Sequence, residues 1–161
     1  GDLVSASVPD WSRERIDGGW APGKRLLRAI RWYQAARPRG GPIWSLASRR
    51  WALSHRIWSV VTQCDIPLTV EIGGGLYLPH PNGIVIHPDA RIGPNCLIFQ
   101  QVTLAGPVVL GGRVDLGAGA KLIGPLTVGD HAEVGANAVV TGDVAPRAVV
   151  AGVPARPLGT R

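Results

Sequence analysis

The sequence predicts a mainly β protein: a parallel β-helix of hexapeptide repeats preceded by an N-terminal α-helical segment. Three observations carry this. From Ile86 to Ala145 the chain divides without a gap into ten hexads, each opening on Ile, Leu or Val. The fifth residue of every hexad is Ala, Cys, Val or Leu, and glycine is the commonest second residue. All six tryptophans, by contrast, precede residue 63.

Taken in order, residues 1–20 show no periodicity and read as loose chain. Pro22 to Ala36 reads as a helix, with Leu26, Leu27, Ile30 and Tyr33 apolar and Arg25, Arg28 and Arg31 outside. The stretch RPRGGP (37–42) reads as a turn. WSLASRRWALSHRIWSVV (44–61) places Trp44, Trp51 and Trp58 on one helix face, with His55 as a structural residue. The boundary falls at 62/63, dividing a basic helical segment (1–62) from a coil domain with a C-terminal tail (63–161). Up to residue 62 there are 11 Lys/Arg against 4 Asp/Glu, a net of +7; the rest carries 6 against 7, a net of −1. A nucleic-acid binder would spread its positive charge over the body of the fold, so that class is disfavoured. The Trp-rich helices either cap the open end of the coil and help subunits pack, or touch a membrane surface peripherally. No run of about 18 apolar residues spans a bilayer. No export leader opens the sequence, which points to the cytoplasm and to reduced Cys64 and Cys96.

Six residues make two strand alternations and a corner, so three hexads close one triangular coil of eighteen residues. IPLTVE and IGGGLY (66–77) extend the pattern backwards. Cys96 occupies an inward fifth slot. Between Tyr77 and Ile86 the count fails: LPHPNGIV has eight residues where six are needed. The surplus must leave the wall, carrying His80 on a bulge stiffened by Pro79 and Pro81. A neutral imidazole there suits a general base. Asp65 stands fifteen residues earlier, on the same prism side one rung away, where a carboxylate would orient the ring; capping the turn that leaves the helices is its other reading. His80, His87 and His131 fall at different hexad slots, which argues against a shared zinc, and no metal is expected.

The hexads and AGVPARPLG resemble the left-handed β-helix acyltransferases of the hexapeptide-repeat family. CDIPLTVEIGGGLYLPHPNGIVI, TLAG, GAGAKLIG and VGANAVV resemble its serine O-acetyltransferase branch, over roughly 46–159. The resemblance implies a left-handed coil, a homotrimer, acetyl-CoA as co-substrate, and His80 as general base oriented by Asp65. It implies that Ala105, Gly106, Ala118 and Ala136 line the pantetheine arm, and that Pro154 and Arg156 lie near the adenine. Lys121, Arg113, Arg147 and Arg156 are the cations that could meet its phosphates.

Two departures bear on the acceptor. The branch carries an aspartate before its histidine, where this chain has Pro79, and a loop with an Arg–His pair, where TLAG here runs straight into PVVLGGRVDLG. A zwitterion needs charged partners at both ends. The expected acceptor is therefore a hydroxyl on a sugar, a glycan or another small molecule. Free serine is the alternative, and a non-catalytic trimeric scaffold a further one.

Overall fold

A computed structural model describes residues 4–161. Two helices, α1 (Pro22–Ala36) and α2 (Gly41–Thr62), lead into a three-sided parallel coil. Pro22 opens α1 at a position whose N–H would be unpaired anyway. Gln63 closes α2 in a left-handed conformation at φ 54°.

Face one of the coil holds β1 (Glu71–Ile72), β3 (Arg91–Ile92), β6 (Val108–Leu110) and β9 (Leu126–Val128). Face two holds β4 (Leu97–Ile98), β7 (Asp115–Leu116), β10 (Glu133–Val134), β12 (Ala148–Ala151) and β13 (Arg156–Thr160). Face three holds β2 (Val85–Ile86), β5 (Thr103–Ala105), β8 (Lys121–Ile123) and β11 (Val139–Val140). Below the bulge the rungs repeat every eighteen residues, as in Thr103↔Lys121 and Lys121↔Val139. The first and fifth residues of all ten hexads are buried, so the aliphatic ladders fill the prism as the periodicity predicts. Corners turn through left-handed backbone: Gly83, Gln101, Gly119 and Asn137 form one such column, at φ 62°, 63°, 75° and 57°.

The helices seal the top of the coil. Leu26, Leu27 and Ile30 join the same buried cluster as Ile66 and Ile84. The exposed carbonyls of the first coil, which would otherwise be an open strand edge, are taken by helix side chains. Gln34 donates to Leu68 O and Val70 O, both at 2.9 Å. Arg31 donates to Ile72 O and Gly73 O. The ring Nε2 of His55 lies 2.7 Å from Ile66 O. Helix and coil thus share one core across the 62/63 boundary. The tryptophan face of α2 looks onto α1: Trp51 stacks on Trp32, centroids 6.0 Å apart.

Residues 4–14 correct the expectation of loose chain; residues 1–3 lie outside the described ones. They run as a strap along the edge between faces one and two. Asn95, fully buried, donates to Ser5 O and Val8 O and accepts from Asp10 N–H. Glu14 accepts from the N–H groups of Gly75 and Leu76 and pairs with Arg31 at 2.7 Å. A Cβ on Gly112 would lie 1.7 Å from Ala6 O, so only glycine admits the strap there.

The C-terminal tail is also ordered. β13 turns back antiparallel on β12, and Arg161 reaches Asp115 at 3.0 Å. Asp115 also pairs with Arg113, both nearly buried. Arg113 is therefore committed to the wall, a correction to its place among the cations offered to phosphate.

Candidate active site

The two surplus residues leave the wall between Leu78 and Ile84, which are both buried in register. Pro79 to Gly83 bulge outward at the edge between faces two and three. The carbonyl of Asn82 accepts from Gln101 N–H at 2.8 Å, and Gly83 N–H donates to Thr62 O. These bonds fasten the bulge to the coil below and to the end of α2. His80 is exposed on it, its ring 6.4 Å from that of Phe99 and 29° from parallel.

His80 opens on a cavity of about 470 Å³, where Tyr77, Trp20, Asp17 and Lys24 also contribute. The hexad count did not point to Asp17 and Lys24, because they precede the repeats. The signal present was the turn IDGGWAP: Gly18 and Gly19 at φ 105° and 69° swing the chain round before Pro22, and both residues line the cavity beside the bulge. The Asp17 carboxylate pairs with Arg15 at 3.0 Å in an exposed contact. The Lys24 ammonium donates to Arg15 O at 2.8 Å.

Asp65 is exposed on the rung beside β2; its N–H donates to Ile84 O and its carbonyl accepts from Ile86 N–H. It bridges Val85 directly. Asp65 therefore stands on face three, one turn above Val85 and twenty residues before it, while His80 sits on the bulge at the edge between faces two and three; this corrects the expectation that both share one prism side, because the two surplus residues lengthen this turn. Among the described residues no hydrogen bond or ion pair joins the Asp65 carboxylate to the imidazole.

The same edge runs down from His80 through Gln101, Ala118 and Ala136, with Asn137 N–H bonded to Ala118 O at 2.8 Å. It ends where Val139 N–H meets Gly152 O, two residues before Pro154. Small side chains along it leave backbone accessible. Arg156, the first residue of β13, is exposed and lines a second cavity of about 350 Å³ at the foot of the coil. Lys121 stands on face three and donates to Gln101 O. Ala105 and Gly106 stand apart: they occupy the edge between faces three and one, Gly106 at φ 87°. One chain therefore splits its predicted donor wall between two edges.

Neither cysteine is placed for nucleophilic work. Both are buried, and burial pushes the Cys96 thiol up to about 12. Among the described residues, no three His, Cys, Asp or Glu side chains are grouped to hold a metal.

No protein-family model matches the chain. It is 40% identical over 108 residues to a serine acetyltransferase of Mycobacterium tuberculosis, covering 62% of this chain and 47% of that protein. It is 39% identical over 109 residues to a serine acetyltransferase of Escherichia coli, covering 63% and 40%. The chain thus spans less than half the length of these relatives. Its fold superposes on a serine acetyltransferase solved in complex with CoA at a TM-score of 0.74 and 31% identity, over 86% of this chain and 57% of that one. The Neisseria gonorrhoeae enzyme gives a TM-score of 0.75 at 30% identity, over 88% and 56%.

Proposed function

We propose that this chain, whose coil is that of the hexapeptide-repeat acyltransferases of the serine O-acetyltransferase branch, moves an acetyl group from acetyl-CoA to the hydroxyl of serine. The observation that carries this is the cavity at His80, which joins a general base to one carboxylate and one ammonium group. The activity of its serine acetyltransferase relatives and that pair of charges both favour serine over the sugar or glycan hydroxyl expected from Pro79 and the missing loop. That preference has a physical basis. A zwitterion's counter-charges need not come from the coil, and here Asp17 and Lys24 bring them from the turn before α1.

In this reading His80 removes the hydroxyl proton as the oxygen attacks the thioester carbonyl. The imidazolium then returns the proton to the departing CoA sulfur. Asp65 swings onto the second ring nitrogen and stabilises the imidazolium. Pro79 and Pro81 limit backbone motion at the base, and the Phe99 ring limits rotation of the imidazole. Ala118 and Ala136 flank the pantetheine arm; Lys121, Pro154 and Arg156 serve the phosphate and adenine end.

The split donor wall favours a homotrimer, in which the Ala105–Gly106 edge of one copy closes on the His80 edge of the next. We propose the cytoplasm, where acetyl-CoA and free thiols coexist, as its compartment.

Release of free CoA thiol from acetyl-CoA, measured across a panel of hydroxyl acceptors, tests the proposal. Serine should lead the panel. Turnover with sugars and none with serine restores the glycan reading that Pro79 suggests. Failure of acetyl-CoA to bind at all, measured by calorimetry, leaves the scaffold reading.

A further inference from the structure

The tryptophan face of α2 is spent on α1, and the face opposite is bare. Ile43, Leu46, Leu53, Ile57 and Val60 are 77%, 70%, 59%, 52% and 65% exposed. With Arg50 they recur at intervals of three and four residues from Ile43 to Val60 within α2, a stripe about 26 Å long. Such a stripe calls for a cover.

A second copy of the helix is a poor one. Read as a heptad, Ile43, Arg50 and Ile57 take the a positions and Leu46, Leu53 and Val60 the d positions. The flanking e positions are Ala47, Ser54 and Val61, and the g positions are Arg49 and Arg56. No carboxylate is present to pair with those arginines across an interface, and Arg50 would enter the seam. From residue 22 to residue 62 the chain has nine Lys and Arg and no Asp or Glu. Two such surfaces repel. An apolar stripe flanked by cations and free of acidic groups complements one kind of surface, an anionic bilayer.

We infer that α2 docks through this stripe onto anionic lipid, with Leu46, Leu53, Ile57 and Val60 in the acyl boundary and Arg49 and Arg56 at the headgroups, while Arg50 folds over the Trp51 ring at 4.9 Å. The face differs from the tryptophan side that the sequence singled out, and none of its residues lines the His80 cavity. The inference stands independently of which acceptor the enzyme uses.

The test is co-sedimentation of the full chain with vesicles of equal parts phosphatidylglycerol and phosphatidylcholine, against phosphatidylcholine alone. The expected result is binding to the anionic vesicles that falls with salt. Arg49→Gln with Arg56→Gln should weaken it about 25-fold, a factor of about five per cation. Leu53→Ser with Ile57→Ser should weaken it at least about tenfold. Circular dichroism of each variant shows whether the helices remain, and Ser45→Asn, off the stripe, serves as a folded control that keeps wild-type binding. Equal binding to both vesicle types, no binding, or binding untouched by the stripe variants overturns the inference. So does a fall in solution mass on Leu53→Ser with Ile57→Ser, measured by light scattering, which would assign the stripe to contact between copies.

Discussion

The His80 ring lies against the Phe99 ring, 6.4 Å between centroids, so the base is held from the coil below as well as by its own prolines. Removing the imidazole by His80→Ala should lower kcat by about 10² to 10⁴ and leave acetyl-CoA binding intact by calorimetry. Asp65→Asn should lower kcat by a smaller factor. Phe99→Ala, which frees the ring, should lower kcat more than it raises KM.

Asp17→Asn and Lys24→Gln probe the acceptor. Each should raise the KM for serine by about tenfold or more, as expected when one charge-assisted hydrogen bond is lost. The KM for acetyl-CoA should stay unchanged. If both variants keep wild-type KM for serine, the charges at this cavity do not hold the substrate.

Cys96 makes a prediction in alkali. Burial raises its folded pKa from 9.0 to about 12, so between those values the unfolded chain releases a proton that the folded chain keeps. The linked stability is intact below pH 9 and declines above it, by about 1.4 kcal/mol per pH unit until pH 12. Urea unfolding of wild type and Cys96→Ala at pH 8 and pH 10 should show the difference narrowing as pH rises. At pH 8 a thiol reagent should modify Cys96 only after denaturant is added.

The strap hangs on Asn95. Asn95→Ala removes three hydrogen bonds from a buried group and places alanine at φ 60°. A loss of about 3 kcal/mol is expected, with faster tryptic cleavage at Arg13 and Arg15. Gly112→Ala should expose the same sites, because its Cβ would displace the Ala6 carbonyl.

Leu122 lies in the middle of the ladders with no exposed surface. Leu122→Ala should cost about 2–5 kcal/mol in urea melts, more than any change on the outer faces.

The coil was legible because its constraint is local and repeats: Leu104, Leu116 and Leu122 face inward for the same reason at the same slot. The bulge was legible for the converse reason, as two residues that could not be fitted. The helix bounds also followed from the apolar spacing around Leu26, Leu27 and Ile30. The strap was not legible, since Ser5, Asp10 and Glu14 find partners some sixty to ninety residues away. The Asp17 and Lys24 contribution to the cavity was hidden by the same distance. On α2 the tryptophans drew attention to the packed side, while Ile43, Leu46 and Leu53 carried an equally regular pattern on the bare one.

The strap also fixes which edge of the coil the N-terminal residues occupy. The Ala6 carbonyl closes on Gly112, at the edge between faces one and two, which lies across the prism from face three. A label on Ser7, exposed in the strap, therefore sits at the edge opposite β2, β5, β8 and β11. Arg161, by contrast, is clasped on Asp115, so the strap is the better place to attach a handle.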